Sequence, residues 1–207
     1  EACGQAGYSV IFTNASNNDA VELDNINKLR QQDTAGLIIN PINPESAIYK
    51  VLSNENVVLL DRQAKETRID TIVTDNFSSV KSFIQDMKNN GYDELYFVSW
   101  PIQKISTRLL RYNGFNSAMH YTDDRHLLIV DESSSSALKE QLYTIMQNRK
   151  TKRIGFFSMN AKVLIQLLTI LQQMDYNYPE DFGVGTYEDL EWMQIFRPGI
   201  SCISQNS

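Results

Sequence analysis

Short apolar runs alternate with amphipathic stretches along this chain. The runs are rich in Val, Ile, Leu, Phe and Tyr, and each has the length of a β-strand rather than of a helix. Several runs, such as residues 36–39 and 57–60, contain no polar alternation, which is typical of parallel strands covered on both faces. The predicted strands are residues 9–13, 36–39, 57–60, 71–74, 95–98, 127–130, 154–157 and 182–185.

Between these strands, apolar residues recur at the spacing of one helical face. The clearest stripe precedes an Asn-Gly pair at 90–91 that predicts the end of a helix; its members are Val80, Phe83, Ile84 and Met87. A helix opened by Pro44 is predicted to turn its apolar residues inward; they are Ile48, Val51 and Leu52. Further helices are predicted after the polar residues 17–19 and within 107–119, 138–145 and 163–171.

Strict alternation of strands and helices predicts a doubly wound α/β fold. The series of strands begins again after Gly91, where the long helix ends. We therefore expect two parallel-sheet lobes, an N-terminal lobe of residues 1–91 and a C-terminal lobe of residues 92–207. Ligands of open parallel sheets bind beyond the carboxyl ends of the strands, so two such sheets facing each other predict a ligand cleft between the lobes.

Composition excludes several functions. The chain has 207 residues and a formal net charge of −6, and it contains no Lys/Arg cluster able to grip phosphates, so this segment is a poor nucleic-acid binder. No apolar run approaches the length of a bilayer span, so no membrane association is expected. The two cysteines, Cys3 and Cys202, do not form a disulfide framework and favour a reduced, cytoplasmic compartment. With only two histidines, neither in a metal motif, we expect no metal and no cofactor.

Polar side chains follow many of the predicted strands. Amides and carboxylates in such positions suit polyhydroxylated ligands, because each ligand hydroxyl both donates and accepts hydrogen bonds. The same residues are also common as turn formers and helix caps, so either role remains open for each of them. They are Asn14, Asn40, Asp61, Asp75, Ser99, Asn160 and Glu188.

Four stretches, in this order, carry a family resemblance. They are Val-Thr-Asp-Asn at 73–76, Arg-Tyr-Asn-Gly-Phe at 111–115, Phe-Gly-Val-Gly-Thr-Tyr-Glu-Asp at 182–189, and Arg-Pro-Gly-Ile-Ser-Cys-Ile-Ser-Gln at 197–205. Together they resemble the effector-binding domain of the lactose/galactose repressor (LacI/GalR) family. The resemblance covers nearly the whole chain and implies a periplasmic-binding-protein-like type I fold that binds a small molecule and changes shape.

The resemblance also assigns ligand contacts. It implies that Asp75 and Arg111 contact the effector from opposite lobes. The family's Asn-Asp pair corresponds to residues 160–161, where Asn160 matches and Ala161 departs. The family's Gly-Phe-Asp-Asp corresponds to residues 186–189, which makes Glu188 the candidate acid, with one more methylene than Asp. The Gln after the closing strand is Gln205.

Structural roles compete with these assignments. Asp75 and Asn160 could only cap helices, Glu188 could only be an acid at a helix N-terminus, and Arg111 could lie on a helix surface. Trp192, four residues beyond Glu188, could stack on a sugar ring or belong to the core.

The resemblance implies the effector-binding domain of a bacterial transcriptional repressor. It further implies a homodimer, operator DNA bound through a helix-turn-helix domain preceding this chain, and a sugar or related metabolite as effector. The departures at Ala161 and Glu188 favour an effector other than a plain hexose, with a pentose such as ribose as the first candidate. Segments before Glu1 and after Ser207 are expected to complete the first lobe. We expect Arg111→Ala to remove the response to ligand and to leave folding intact.

Two alternatives remain open. An extracellular sugar-binding protein of a transporter shares the two-lobed fold. An enzyme is disfavoured, because the sequence contains no nucleophile elbow, phosphate loop or dinucleotide fingerprint. Asp75 and Glu188 could nevertheless face each other as glycosidase carboxylates do.

Overall fold

The computed structural model describes residues 1–103, 105–131 and 136–205. The chain divides into a first unit, Glu1–Val73, and a second unit, Thr74–Ser207. The helices are α1 (Ala2–Gln5), α2 (Asp19–Gln31), α3 (Ile48–Leu52), α4 (Asn76–Asn89), α5 (Ser106–Met119), α6 (Ser136–Asn148) and α7 (Ala161–Gln173), with a 3₁₀ helix at Glu191–Ile195. The strands are β1 (Leu37–Ile39), β2 (Val57–Leu60), β3 (Asp70–Ile72), β4 (Glu94–Ser99), β5 (Leu127–Ile129), β6 (Ile154–Ser158), β7 (Gly183–Tyr187) and β8 (Ser201–Ile203).

The second unit is a doubly wound parallel sheet. Its strand order is β5-β4-β6-β7-β8, and every neighbouring pair is parallel. Right-handed crossovers place α5 on one face of the sheet and α6 and α7 on the other. All residues of β6 and β7 are buried, as expected for strands covered on both faces.

The core of the second unit is built from the predicted apolar stripes. Val80, Ile84 and Met87 of α4 are buried, and α7 contributes buried residues of the leucine-rich stripe. Phe97 of β4 lies at the centre of an aromatic cluster, with ring centroids 5.5 Å from both Tyr112 and Phe115. The predicted helix face and the buried face therefore coincide in this unit.

The first unit contains a three-stranded parallel sheet in the order β1-β2-β3. Its core is a small cluster that includes Ile26, Tyr49 and Leu59. The prediction that its strands are covered on both faces is wrong for residues 1–73, since Ile38 of β1 is 70% exposed. Side chains alternate across a strand, and in β2 the buried Val57 and Leu59 alternate with the less buried Val58 and Leu60.

Two local predictions in the first unit are also wrong. Residues 9–13 do not form a strand, and Phe12 is 88% exposed. A strand needs a hydrogen-bonded neighbour, and the described sheet of this unit contains only β1, β2 and β3. The helix predicted from Pro44 begins only at Ile48 and leaves Val51 exposed, with Tyr49 buried in its place.

The lobe boundary near Gly91 stays a prediction, and the division into compact units falls at a different point of the chain. The chain divides after Val73, so α4 belongs to the second unit rather than to the first. The physical reason is a close helix pair: a Cβ atom at Gly114 of α5 would collide with the backbone carbonyl of Phe77 in α4. A glycine at this position therefore lets the two helices pack backbone to backbone.

Candidate ligand-binding site

The second sheet has a switch in strand order at β4. From β4 the chain first adds β5 on one side and then β6 on the other. The strands end together at one edge, because Ser99 is in register with Ile129, and Ser158 with Thr186. Ligands of open α/β sheets bind in the crevice beyond the carboxyl ends of the strands at such a switch point. The candidate site residues of the second unit lie at this edge.

Arg111 is the central side chain at this edge. It projects from α5 and is 6% exposed, so it is not the surface residue that the alternative interpretation described. Its Nε donates a hydrogen bond to Asn76 Oδ1 at 2.7 Å, and its Nη1 donates to the Met159 carbonyl oxygen, also at 2.7 Å. Its guanidinium carbon lies 3.5 Å from the centroid of the Tyr187 ring. These contacts fix the plane of the guanidinium.

Asn76 and Tyr187 connect Arg111 to the beginning of the second unit. Asn76 is 1% exposed, and its Nδ2 donates to the Thr74 carbonyl oxygen at 3.0 Å. The Tyr187 hydroxyl forms a hydrogen bond of 3.2 Å with Thr74 Oγ1. Thr74, Asn76, Arg111 and Tyr187 thus form a closed ring of contacts, which we call the Arg111 ring.

Asp75 acts as the N-cap of α4. Its carboxylate accepts a hydrogen bond from the Ser78 amide at 2.9 Å, and the side chain is exposed. The capping role anticipated as an alternative is therefore present, and exposure leaves further acceptor positions of the carboxylate accessible. Asp75 and Arg111 lie in the same compact unit. That they contact the effector from opposite lobes stays a prediction.

Asn160 and Glu188 meet at the N-terminus of α7. Asn160 Oδ1 accepts from the Val163 amide at 2.9 Å, and Glu188 Oε2 accepts from the Ala161 amide at 3.2 Å. The two side chains satisfy two of the amides that a helix leaves unpaired at its start, and the carboxylate is favoured there by the helix dipole. Both residues are half-buried. Their capping roles are thus real, and their ligand roles remain predictions.

Glu188 has an unusual backbone. Its φ of 91° lies in the region that side chains rarely adopt, although its amide donates to the Ile203 carbonyl oxygen at 3.0 Å. Strained residues of this kind cluster at functional sites, where the surrounding structure holds them. Glu188 directly follows β7, and its carboxylate accepts from the Ala161 amide at the start of α7.

Three candidate residues are sequence neighbours of Arg111's partners. Asp75 precedes Asn76, Asn160 follows Met159, and Glu188 follows Tyr187. Arg111 contacts each of these partners, so one guanidinium gathers three separate segments of the chain. A guanidinium provides donors, and the carboxylate and amide side chains next to its partners provide acceptors, which together suit a hydroxylated ligand.

The other two predicted residues are less central. Trp192, in the 3₁₀ helix, packs against the core and lies 6.1 Å from Phe196 in an edge-to-face arrangement, as the core interpretation expects. Gln205 is exposed and follows β8, at the same edge of the sheet. Trp100 follows β4, and the guanidinium carbon of Arg108 lies 5.2 Å from the centroid of the Trp100 ring.

Buried polar groups support the strand ends beneath the site. Ser158 Oγ donates to Thr186 Oγ1 at 2.7 Å between neighbouring strands, and both residues are fully buried. Burial raises the pKa of the Cys202 thiol, and the nearby Asp189 carboxylate raises it further, so the thiol stays protonated at neutral pH. These pairs are structural, since buried polar groups need partners.

The sequence did not identify Asn76, Tyr187 or Thr74 as parts of the site. Two of them lie in the quoted stretch 73–76 and one in 182–189, so motif position was an available signal. Their roles depend on burial and on a side-chain hydroxyl pair between residues 113 positions apart, which no local pattern encodes.

The fold and this site define a two-unit α/β protein of the ligand-binding class. A family described as periplasmic binding proteins and sugar binding domain of LacI family matches residues 1–148. The chain belongs to this family, which confirms the resemblance and the predicted parallel α/β fold.

Relatives and solved structures agree with this assignment. The HTH-type transcriptional regulator KdgR of Bacillus subtilis is 25% identical over 212 residues, covering 100% of this chain and 62% of KdgR. PtxS of Pseudomonas putida, also an HTH-type transcriptional regulator, is 24% identical over 205 residues, covering 99% of this chain and 60% of PtxS. The transcription regulator CcpA of Lactococcus lactis shares the fold, with a TM-score of 0.81 at 16% identity over 98% of this chain and 75% of CcpA.

The relatives favour a regulator's effector-binding domain over a transporter's binding protein. They are transcriptional regulators rather than enzymes. The chain spans 62% and 60% of the lengths of these two relatives. Within the described ranges, none of the helices has the length and apolar character needed to cross a membrane.

Proposed function

We propose that this chain is the effector-binding domain of a LacI-type transcriptional repressor. Its ligand is a sugar or related metabolite that binds at the carboxyl edge of the second sheet. The full protein is a cytoplasmic homodimer that binds operator DNA through a helix-turn-helix domain outside this chain. The relatives' names, HTH-type transcriptional regulators, support the DNA-binding part of the proposal.

The observation that carries the proposal is the position of Arg111. A buried guanidinium at the carboxyl ends of β6 and β7, in contact with the sequence neighbours of Asp75, Asn160 and Glu188, is a pre-organised centre for a polyhydroxylated molecule. Arg111 supplies donors, and the two carboxylates and the amide supply acceptors, which together match the mixed character of sugar hydroxyls.

Ligand binding acts on DNA through conformation. A ligand shifts an equilibrium between two conformations only by its differential affinity for them. Coupling energies in such systems are typically about 1–3 kcal/mol. In a dimer, this energy changes the spacing of the two DNA-reading helices and thus the affinity for the operator.

The experiment is a thermal-shift screen followed by calorimetry. The panel contains ribose and other pentoses, hexoses, disaccharides, sugar phosphates and nucleosides. A ligand at about 100 times its dissociation constant stabilises the folded state by roughly 2.7 kcal/mol, which is visible as a higher melting temperature. We expect a selective response to one class, and a pentose is the first candidate.

The site is tested by variants that retain the structural role of each residue. Asp75→Asn keeps an N-cap acceptor for the Ser78 amide, and Glu188→Gln keeps an acceptor for the Ala161 amide. Each should weaken ligand binding about tenfold, or roughly 1.4 kcal/mol, with little change in melting temperature. The control is Asp86→Asn, the same charge change at an exposed position of α4. Unchanged dissociation constants in both site variants would contradict the proposed site.

Arg111→Ala is a poor test of the same site. The structure leads us to expect that this change also lowers stability, because it removes a buried donor and leaves Asn76 Oδ1 without its Arg111 partner. Arg111→Lys retains a positive charge, but it loses the planar fork that bonds Asn76 and Met159 together and stacks on Tyr187, so it is not a conservative change here.

A further inference from the structure

The Arg111 ring joins the candidate site to the segment where the chain enters the second unit. Thr74 is the first residue of that unit. Its carbonyl oxygen accepts hydrogen bonds from the Asn76 amide at 2.8 Å and from Asn76 Nδ2 at 3.0 Å, and its hydroxyl pairs with that of Tyr187. Both groups that hold Thr74 are themselves in contact with Arg111.

Tyr187 performs two tasks with two parts of one side chain. The residue is 1% exposed, and its ring supports the Arg111 guanidinium at 3.5 Å. Its hydroxyl, at the far end of the ring, reaches Thr74. A phenylalanine would perform the first task and not the second. The hydroxyl therefore adds a specific link that stacking alone does not require.

Because the contacts of the Arg111 ring form a closed circuit, a shift of one residue in the ring displaces the others. Arg111 cannot shift its plane without disturbing the Tyr187 ring and Asn76, and these two residues fix Thr74 from its side chain and from its carbonyl. Asp75 lies between Thr74 and Asn76, so the same contacts also fix the start of α4 and the position of the Asp75 carboxylate.

We infer that Tyr187 is a positioning residue, which orients Arg111 for the ligand through its ring and couples Arg111 to the entry segment, residues 74–76, through its hydroxyl. This inference rests on the proposed function of the site. A ligand held by Arg111 stabilises the closed ring, so binding protects the backbone amides of residues 74–79 from exchange. Removal of the hydroxyl link separates ligand binding from the entry segment.

The test removes the same hydrogen bond from either end. The variants are Tyr187→Phe, Thr74→Val and the double variant; Thr74→Ser, which retains a hydroxyl, should restore the affinity lost in Thr74→Val. The control is Tyr178→Phe, which removes a hydroxyl that donates to the Gly199 carbonyl oxygen in the same unit. The measurements are calorimetry with the sugar selected by the screen and hydrogen exchange of residues 74–79 with and without that sugar.

We expect each single variant to weaken ligand binding about tenfold. The double variant should bind no more weakly than either single variant, because the effects of substitutions at two contacting residues do not add. Without ligand, the amides of residues 74–79 should exchange about tenfold faster than in the wild type in both single variants, and at the wild-type rate in Tyr178→Phe. Wild-type affinity, or unchanged exchange of these amides, in Tyr187→Phe and Thr74→Val would overturn the inference.

The exchange measurement without sugar separates this inference from the proposed function. If the wild-type protein binds none of the sugars, the proposed function and the ligand-orienting role of Tyr187 both fail, while exchange still decides whether the hydroxyl holds the entry segment. If the wild-type protein binds a sugar and the variants bind it equally well, only the inference fails.

Discussion

The two units of this chain are built from the same kinds of element and differ in how completely those elements are covered. The second unit buries apolar residues from α4, α5, α6 and α7 and from the strands between them. The first unit has a small core, and Ile38 and Ile72 of its sheet are exposed. Because apolar burial is the main favourable term in folding, we expect the second unit to be the more stable and the more cooperative part.

The largest expected effect tests whether the units unfold separately. Phe97→Ala removes the centre of the aromatic cluster and should lower the free energy of unfolding of the second unit by roughly 4 kcal/mol. Hydrogen exchange should show reduced protection of backbone amides throughout the second sheet and unchanged protection in β1 and β2. The matched variant is Leu59→Ala in the core of the first unit, which should lower the free energy of unfolding of that unit by roughly 3 kcal/mol. Its loss of protection from exchange should appear in the first sheet and not in the second. Equal loss of protection in both units for either variant would contradict the division.

A smaller effect tests why α4 belongs to the second unit. Gly114→Ala adds a Cβ against the backbone of Phe77 and should force α4 and α5 apart, at a cost of about 2 kcal/mol in the free energy of unfolding of the second unit. Urea denaturation followed by Trp fluorescence measures this change, because Trp100 and Trp192 both lie in the second unit. In the control Gly199→Ala, in the same unit, nothing lies within 4 Å of the added atom, and no loss is expected. Equal stability of Gly114→Ala and wild type would mean that this close approach is not what holds α4.

The smallest effect is a pH dependence that arises from His126 of the second unit. His126 stacks on Tyr121 at 3.7 Å, and its Nε2 lies 3.6 Å from Glu94 Oε1. Burial lowers the pKa of His126, and the nearby Glu94 carboxylate opposes that change without reversing it. Since the folded pKa is below the unfolded value of about 6.5, the folded state binds fewer protons. Stability is therefore full above about pH 6.5 and is lost as the pH falls from there through the folded pKa.

Both histidines lie in the second unit, which gives this prediction its control. His126→Gln should flatten the dependence below about pH 6.5, whereas His120→Asn at the left-handed C-cap of α5 should retain it. Denaturation midpoints at a series of pH values measure both variants. A dependence that persists in His126→Gln would assign it to other groups.

The comparison of the units also explains which predictions from sequence held. In the second unit, the stripe of Val80, Ile84 and Met87 and the end of α4 at Asn90 agree with the predicted helix, because periodicity and burial point the same way there. In the first unit, residues 9–13 and the helix opened at Pro44 were misjudged. An apolar run indicates a strand only when a neighbouring strand pairs with it, and pairing is a tertiary event.

The candidate site shows the same limit. Motif position led to Arg111, Asp75, Asn160 and Glu188, and the capping roles of the last three were foreseen as alternatives. The sequence did not show that Arg111 is buried, nor that its contacts are the neighbours of the other three. Asn76 and Tyr187 were passed over because a buried amide and a core tyrosine have no distinctive local pattern.

By itself, the sequence determined the kinds of element, most of their bounds in the second unit, the parallel α/β class and the family, because these depend on periodicity and on the order of short motifs. Only the tertiary structure decided where the chain divides and how the site is connected. The division depends on the backbone contact at Gly114, and the Arg111 ring depends on contacts between residues far apart in sequence. Such contacts are set by packing among several elements, and no single segment of the chain contains the information for them.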